Sequence, residues 1–439
     1  MIVLKFGGSS LSTAGKIRRC IEIVSRELER EPIVVVSAHG GMTDCLLEAA
    51  RKALAGGVDT ENFETFHFGL VDALGVDRRL IEGLVRRLET LLHGVSLIGE
   101  LTPRTTDHVM SFGERLASVV MAAALTNEGI AAASVSAWDI GLYTDSSFGC
   151  ATPLDGIEEK IAGRLGEFAE VPVITGFIAK DREGSITTLG RSGSDYTASI
   201  IGASVGAEEI QIWTDVDGVM TADPSVCADA RNLPVLSFNE ASELATYGAE
   251  VLHPSTLLPA VRKNIPVKVA NTARPEEPGT RIVIQAALSG RLAKSIVYKE
   301  NLCLISLVSH RFLSTAGFLT AALSVLAKHG IDIHIAATSH CGVSFVTARP
   351  YESGVLEPAA AELGGLGEVA MEMDKAVVCV VGEELRGNHE VLGKVFKTLG
   401  ESGINARMVS QSASEINVAF LVDNAQIDPA VTALHGLIA

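Results

Sequence analysis

The chain has 439 residues, 47% of them apolar and 20% charged. At about 100–200 residues per domain that is room for two to four domains, far from a disordered composition. A net charge of −17 excludes a nucleic-acid surface, which needs a basic face, so any anionic substrate must sit in a local basic pocket. The seven Cys are scattered with no C-x-x-C pair, and the eleven His lack metal-ligand spacing. This pattern points to free thiols in a cytoplasmic protein, with neither a disulfide framework nor a protein-held metal. The N-terminus, Met1 to Gly8, reads as strand and turn rather than a signal peptide. No apolar run looks as long as the ~18 residues of a bilayer span, so no membrane association is expected.

From the start to about residue 285, short apolar runs alternate with helical patterns. Ile2–Phe6, Ile33–Ser37, Ala131–Ser136, Val171–Ile174 and Ile210–Thr214 read as strands; Thr13–Glu29, Val119–Asn127 and Thr197–Gly202 read as amphipathic helices. Strand–helix–strand alternation predicts a largely parallel sheet covered on both faces. Residues 45–118 break the rhythm as a mostly helical excursion, a side lobe or lid. The breaker-rich Arg274–Thr280 and a short strand, Arg281–Ile284, end this domain near Gln285. The remaining residues, 286–439, hold a weak repeat. Ala327–His334 aligns with Gly400–Arg407, superposing Gly330 on Gly403, and each Gly is flanked by the same order of strand, helix and two strands. Two small βαββ modules are therefore expected, the first at about 300–350 plus 423–439 and the second at about 370–422.

Five segments carry chemistry. Lys5-Phe-Gly-Gly-Ser-Ser10 follows the first strand; its glycines permit close backbone approach to an anion, and Lys5 supplies a positive charge. It is not a Walker A loop. Ser37–Asp44 is a second Gly-rich turn at a strand's carboxyl end, where ligands sit in open α/β sheets. Its His39 reads as a solvent-facing turn residue rather than a general base. Ser111–Arg115 places Glu114 where it can accept hydrogen bonds from an ammonium. Thr188–Ala198 combines small residues with Arg191, a bidentate carboxylate binder, and Asp195, suited to orienting a lysine or Mg2+ beside a triphosphate. Trp213–Pro224 is a third strand-end loop, a candidate nucleotide pocket.

In this order and over nearly the whole chain, these motifs, with Tyr247–Pro254 and the C-terminal repeat, resemble the aspartate kinases of the amino-acid kinase family, which carry tandem regulatory ACT modules. The resemblance implies transfer of the γ-phosphoryl group of ATP, with Mg2+, to the β-carboxylate of L-aspartate. It implies Lys5 and Asp195 as the catalytic pair. Thr43, Glu114, Arg191 and Ser194 would hold aspartate. Lys5, Gly7, Gly8, Ser9, Thr214, Asp215 and Met220 would hold the nucleotide. An amino-acid effector and a homodimer or higher homo-oligomer are also implied.

Three positions depart from the family pattern. Met220 replaces an aromatic residue, Ser225 an arginine and Glu250 a lysine; either another cation, such as Arg231 or Lys263, supplies the missing charge, or ATP binding is weaker or arranged differently. His334 and His340 stand where lysine-inhibited relatives have acids, so lysine is expected to inhibit poorly. The alternatives are another amino-acid kinase, for acetylglutamate or glutamate, or a catalytically weak amino-acid sensor.

Overall fold

A computed structural model describes residues 1–248, 254–287, 290–309, 315–339, 341–348 and 356–438. Glu250 and His340 lie outside the described residues. The chain divides into two compact units, one of Met1–Val219, Asn232–Ala241 and Glu250–Ala286, the other of Met220–Arg231, Ser242–Ala249 and Ala287–Ala439.

The first unit is built on β1 (Ile2–Phe6), β2 (Pro32–Val36), β3 (Ala132–Val135), β4 (Val171–Thr175), the hairpin β5 (Ile178–Lys180) and β6 (Ile186–Thr188), then β7 (Ile210–Thr214), β8 (Val235–Ser237), β9 (Val267–Asn271) and β10 (Thr280–Val283). The main sheet has the order β3-β4-β2-β1-β7-β9-β10-β8 and is parallel except where β10 meets β9. Every residue of β1 and β2 is buried. Strands covered on both faces lose the in–out alternation of a half-exposed sheet, which explains their continuous Val/Ile/Leu runs. β1 pairs with β2 on one side and β7 on the other. The chain therefore winds in opposite senses on either side of it, and a crevice opens at its carboxyl end.

Helices α1 (Ala14–Arg26), α2 (Met42–Leu54), α3 (Glu61–Leu74), α4 (Arg79–Ile98), α5 (Pro103–Asn127), α6 (Glu158–Leu165), α7 (Gly193–Val205), α8 (Phe238–Thr246) and α9 (Leu258–Arg262) complete the series. The helical excursion is not a separate lobe. Leu46, Phe63, Leu88 and Leu116, one from each of α2 to α5, share a single core with Ile2 and Leu4 of β1. α5 starts behind a Thr102 cap whose hydroxyl accepts from Thr105 N at 3.2 Å, with Pro103 in the first turn. It contains an 18-residue stretch of mean hydropathy 1.3, so among the described residues one helix is apolar and long enough to span a bilayer; 72% of that stretch is buried in this unit, as in a core helix.

The second unit contains β11 (Ser295–Val308), α10 (Thr315–Lys328), β12 (Ile333–Thr338), β13 (Gly342–Ala348), α11 (Leu356–Gly364), β14 (Glu368–Val381), α12 (Glu390–Glu401), β15 (Val409–Ser410), β16 (Asn417–Asp423) and α13 (Ile427–His435). They form one six-stranded sheet, β12-β13-β11-β14-β16-β15, with two cores. Cys303, Ile305, Phe318, Leu326, Phe345 and Leu363 make one; Ile296, Val378, Val395, Phe420, Val431 and Leu434 make the other.

Two sequence expectations are corrected here. Residues 423–439 do not close the first module: α13 packs in the core of the second, together with the first half of β11. The first module is therefore the inserted one, emerging from β11 and returning through β14. The crossing is marked by register shifts between Lys299 and Leu304 and by left-handed Asn301 and Asp374. Secondly, residues 220–231 belong to the second unit rather than the first. Ala222 and Cys227 are buried in the second module's core, Ser295 Oγ donates to the Met220 carbonyl at 2.8 Å, and Tyr298 Oη donates to Asp223 at 2.9 Å.

Because the modules have separate cores, a cavity in one should spare the other. Phe345 is fully buried; Phe345→Ala is expected to destabilise the inserted module by about 3–5 kcal/mol. Hydrogen exchange should show faster amide exchange in β12 and β13 with β16 unchanged; equal acceleration in both would contradict two cores.

Candidate active site

Three carboxyl-end turns and the start of α7 converge at β1. Lys5, buried within β1, reaches Asp195 in the first turn of α7, with Nζ 2.5 Å from Oδ1. Each side chain is only 10% exposed. The backbone geometry that allows this depends on absent side chains. A Cβ on Gly8 would lie 2.6 Å from the Ala38 carbonyl oxygen, one on Gly176 2.7 Å from Ser194, and one on Gly193 2.7 Å from Phe177. Phe177 and Ser192 are both left-handed, at φ of 64° and 55°. Such strain in non-glycine residues persists only where the surroundings hold it, and it clusters at functional sites.

The turns enclose a cavity of about 800 Å3. Lys5, Gly8, Ser9, Thr43, Glu114, Arg191, Ser194 and Asp195 line it, so eight of the residues singled out in the sequence are brought together. Four are not. Gly7 spends its N–H on the Trp213 carbonyl at 3.0 Å, which leaves the anion-facing donors to Gly8 and Ser9 at the open start of a 3-10 turn. Thr214 and Asp215 lie outside the lining, with Thr214 Oγ1 donating to Asp215 Oδ1 at 3.1 Å. Met220 belongs to the second unit, as does Ser225, which donates from its hydroxyl and its N–H to Asp223.

Glu114 is the most perturbed acid in the cavity wall. It is buried, Oε1 accepts from Ala38 N at 3.1 Å, and Oε2 has no partner among the described residues. Burial pushes its carboxyl up to about 8, opposed by the Ala38 hydrogen bond. Arg191 is exposed at the opposite charge, with no acidic partner among the described residues. The cavity thus offers a carboxyl lacking a partner, a free guanidinium, a lysine–aspartate pair and backbone N–H groups.

Amino acid kinase family models match residues 1–271, and an ACT domain matches 378–437. Over 99% of its length the chain is 35% identical to the chloroplastic aspartokinase 1 of Arabidopsis thaliana, covering 79% of that protein. Over the same share it is 33% identical to the lysine-sensitive aspartokinase 3 of Escherichia coli, covering 98% of it. The chain belongs to the aspartokinase family. The structure of E. coli aspartokinase III in complex with aspartate and ADP superposes with a TM-score of 0.83 at 30% identity, covering 99% of both chains. The same enzyme in complex with lysine and aspartate gives 0.84 at 31% identity, covering 100% of this chain and 99% of that one.

Asp107 carries no expectation from the sequence, and His39 lies elsewhere than expected. Asp107 is buried in the cavity wall, where it accepts from Gly149 N, Thr188 N and Thr188 Oγ1 at 2.9–3.0 Å. Burial raises its pKa despite these bonds. It ties α5 to the loop before α6 and to β6. The signal was present: Asp107 lies seven residues before Glu114, on the same helix face. His39 is not solvent-facing but 1% exposed, packed edge-on against His67 with ring centroids 5.1 Å apart. Burial holds it neutral, well below the usual histidine range.

The sign of the Glu114 shift makes a prediction. A carboxyl raised from 4.5 to about 8 is protonated in the folded protein where it would be ionised in the unfolded chain. Its contribution to stability is complete below about pH 4.5 and is lost as pH rises through 8. Glu114→Gln, neutral throughout, should therefore gain stability relative to the parent between pH 5 and pH 9 in urea unfolding. A difference independent of pH would contradict the buried-acid account.

Proposed function

We propose that this cavity transfers the γ-phosphoryl group of ATP to the β-carboxylate of L-aspartate; the buried Lys5–Asp195 pair at its floor carries the reading. A β-carboxylate oxygen attacks the γ-phosphorus in line as the bond to the bridging oxygen of ADP breaks, yielding 4-phospho-L-aspartate. A carboxylate is already a nucleophile at neutral pH, so the site needs positioning and charge neutralisation rather than a general base. Lys5 answers the charge on the transferring group, Asp195 holds Lys5 in place, and the N–H groups of Gly8 and Ser9 face the phosphates. Arg191 takes a substrate carboxylate as a fork, Glu114 accepts from the α-ammonium, and Thr43 and Ser194 add hydroxyl contacts. Thr214 and Asp215, at the end of β7 beside β1, suit the nucleoside.

Among the described residues no three His, Cys, Asp or Glu side chains stand close enough to hold a metal. Mg2+ would accordingly arrive with the triphosphate, ligated mainly by phosphate oxygens and water, and spread the phosphate charge.

The second unit is the regulatory part. His334 on β12 is half-buried, with burial and Lys299 holding it down to about 4. A neutral imidazole gives the amines of lysine no anion, so we place lysine among its weak effectors. Self-association through the regulatory sheet follows from its edge strands. A cytoplasmic home suits seven free thiols.

The test is ADP release from Mg·ATP with L-aspartate, glutamate or acetylglutamate, with and without added lysine or threonine. Aspartate alone should support turnover, and Lys5→Ala should lower kcat by about 10²–10³ or more, as removal of a transition-state charge partner does. Turnover with glutamate but not aspartate, or an active Lys5→Ala, would sink the assignment. Glu114 must ionise to pair with the substrate ammonium. Aspartate binding at pH 7 should therefore release protons, read as a buffer-dependent heat in calorimetry, and Glu114→Gln should abolish that release.

A further inference from the structure

The first unit holds a second cavity, of about 310 Å3, whose wall is cationic. Arg104, His108 and Arg115 reach it from α5, Lys180 from the end of β5, and Trp138 and Ser185 from neighbouring loops. Arg104, His108 and Arg115 follow one another at helical spacing along a single face of α5. Glu114, one residue before Arg115, lines the catalytic cavity instead, so the helix separates the two sites.

Two of the cations rest on aromatic rings rather than on acids. The Arg115 guanidinium lies 4.8 Å from the Phe112 ring centroid and Lys180 Nζ lies 4.4 Å from that of Trp138. Several surface arginines elsewhere in this unit are matched by acids, as in Arg79–Asp77 and Arg164–Glu167. Among the described residues Arg104, Arg115 and Lys180 have no carboxylate partner. The local field is correspondingly positive. His108 is held below its ordinary pKa by burial and then by Arg115, Arg104 and Lys180; Arg115 is lowered by burial and then by Arg87. In a chain with 53 acidic residues against 36 basic ones, such a self-repelling cluster is one whose repulsion a bound anion would relieve.

We propose that this pocket is a second anion site, distinct from the catalytic cavity, and that it takes a small phosphate-bearing compound with at least two negative charges. Guanidinium forks match phosphate oxygens in pairs. The volume lies at the low end of the roughly 300–1,000 Å3 of small-molecule sites, which fits a diphosphate or a small phosphate ester.

The chain has two tryptophans, so Trp213→Phe leaves Trp138 as the reporter. The full-length protein in this background is titrated with inorganic pyrophosphate, without Mg2+ and at constant ionic strength. Trp138 fluorescence should change saturably. The Arg104→Ala/Lys180→Ala double variant should bind at least tenfold more weakly, and Arg104→Gln alone several-fold more weakly. Lys5→Ala should leave the curve unchanged, because the catalytic cavity is not the site. A non-saturating signal, an unaltered curve in the arginine and lysine variants, or loss of the signal in Lys5→Ala would each overturn the proposal. So would sedimentation showing that Arg104→Gln alters self-association while pyrophosphate binding is unaltered, since the pocket would then be a contact between copies of the chain.

Discussion

A lysine from the middle of a sheet and an aspartate from the first turn of a helix meet at 2.5 Å, and the geometry of the first unit serves that meeting. β1 must be central, so that its carboxyl end opens into the crevice. α7 must begin hard against the end of β4, which only Gly176 and Gly193 permit. The loops after β1 and β2 must touch, which Gly8 and, less tightly, Gly40 permit. The left-handed Phe177 and Ser192 show where this crowding is absorbed. Hydrophobic burial in the large core holding α2 to α5 supplies the stability against which such strain persists.

What the sequence made legible follows from burial. β1, β2 and β7 were plain because strands covered on both faces are uninterrupted apolar runs. α5 is split in the sequence between the mostly helical excursion and the amphipathic Val119–Asn127, since Thr105, Asp107, His108, Ser111 and Glu114 interrupt the apolar pattern of its first half. Asp107 and Glu114 among them line the large cavity, while His108, with Arg104 and Arg115, lines the cationic one. His39 was misjudged because a turn after a strand is usually exposed, whereas this one is roofed by Phe66 and His67 of α3. No local pattern predicts such a roof.

The nesting of the two modules was hidden for a related reason. β11 and β14 each run for 14 residues, but each has a polar midpoint where it passes from one core to the other. Tyr298-Lys-Glu-Asn301 reads as a turn when only apolar runs are taken for strands. Module boundaries inside a strand leave no punctuation of the kind that Gly and Pro supply at loops.

The paired crossings have a consequence for how the regulatory unit varies. Leu302 and Lys375 lie opposite each other in adjacent strands, so the inserted module leaves the outer one and rejoins it at neighbouring points. Its internal length is then invisible to the outer module: residues can be gained or lost between those points without shifting the register of β14 on β16. The inner module is free to diverge in length and surface, while the outer one keeps a fixed frame.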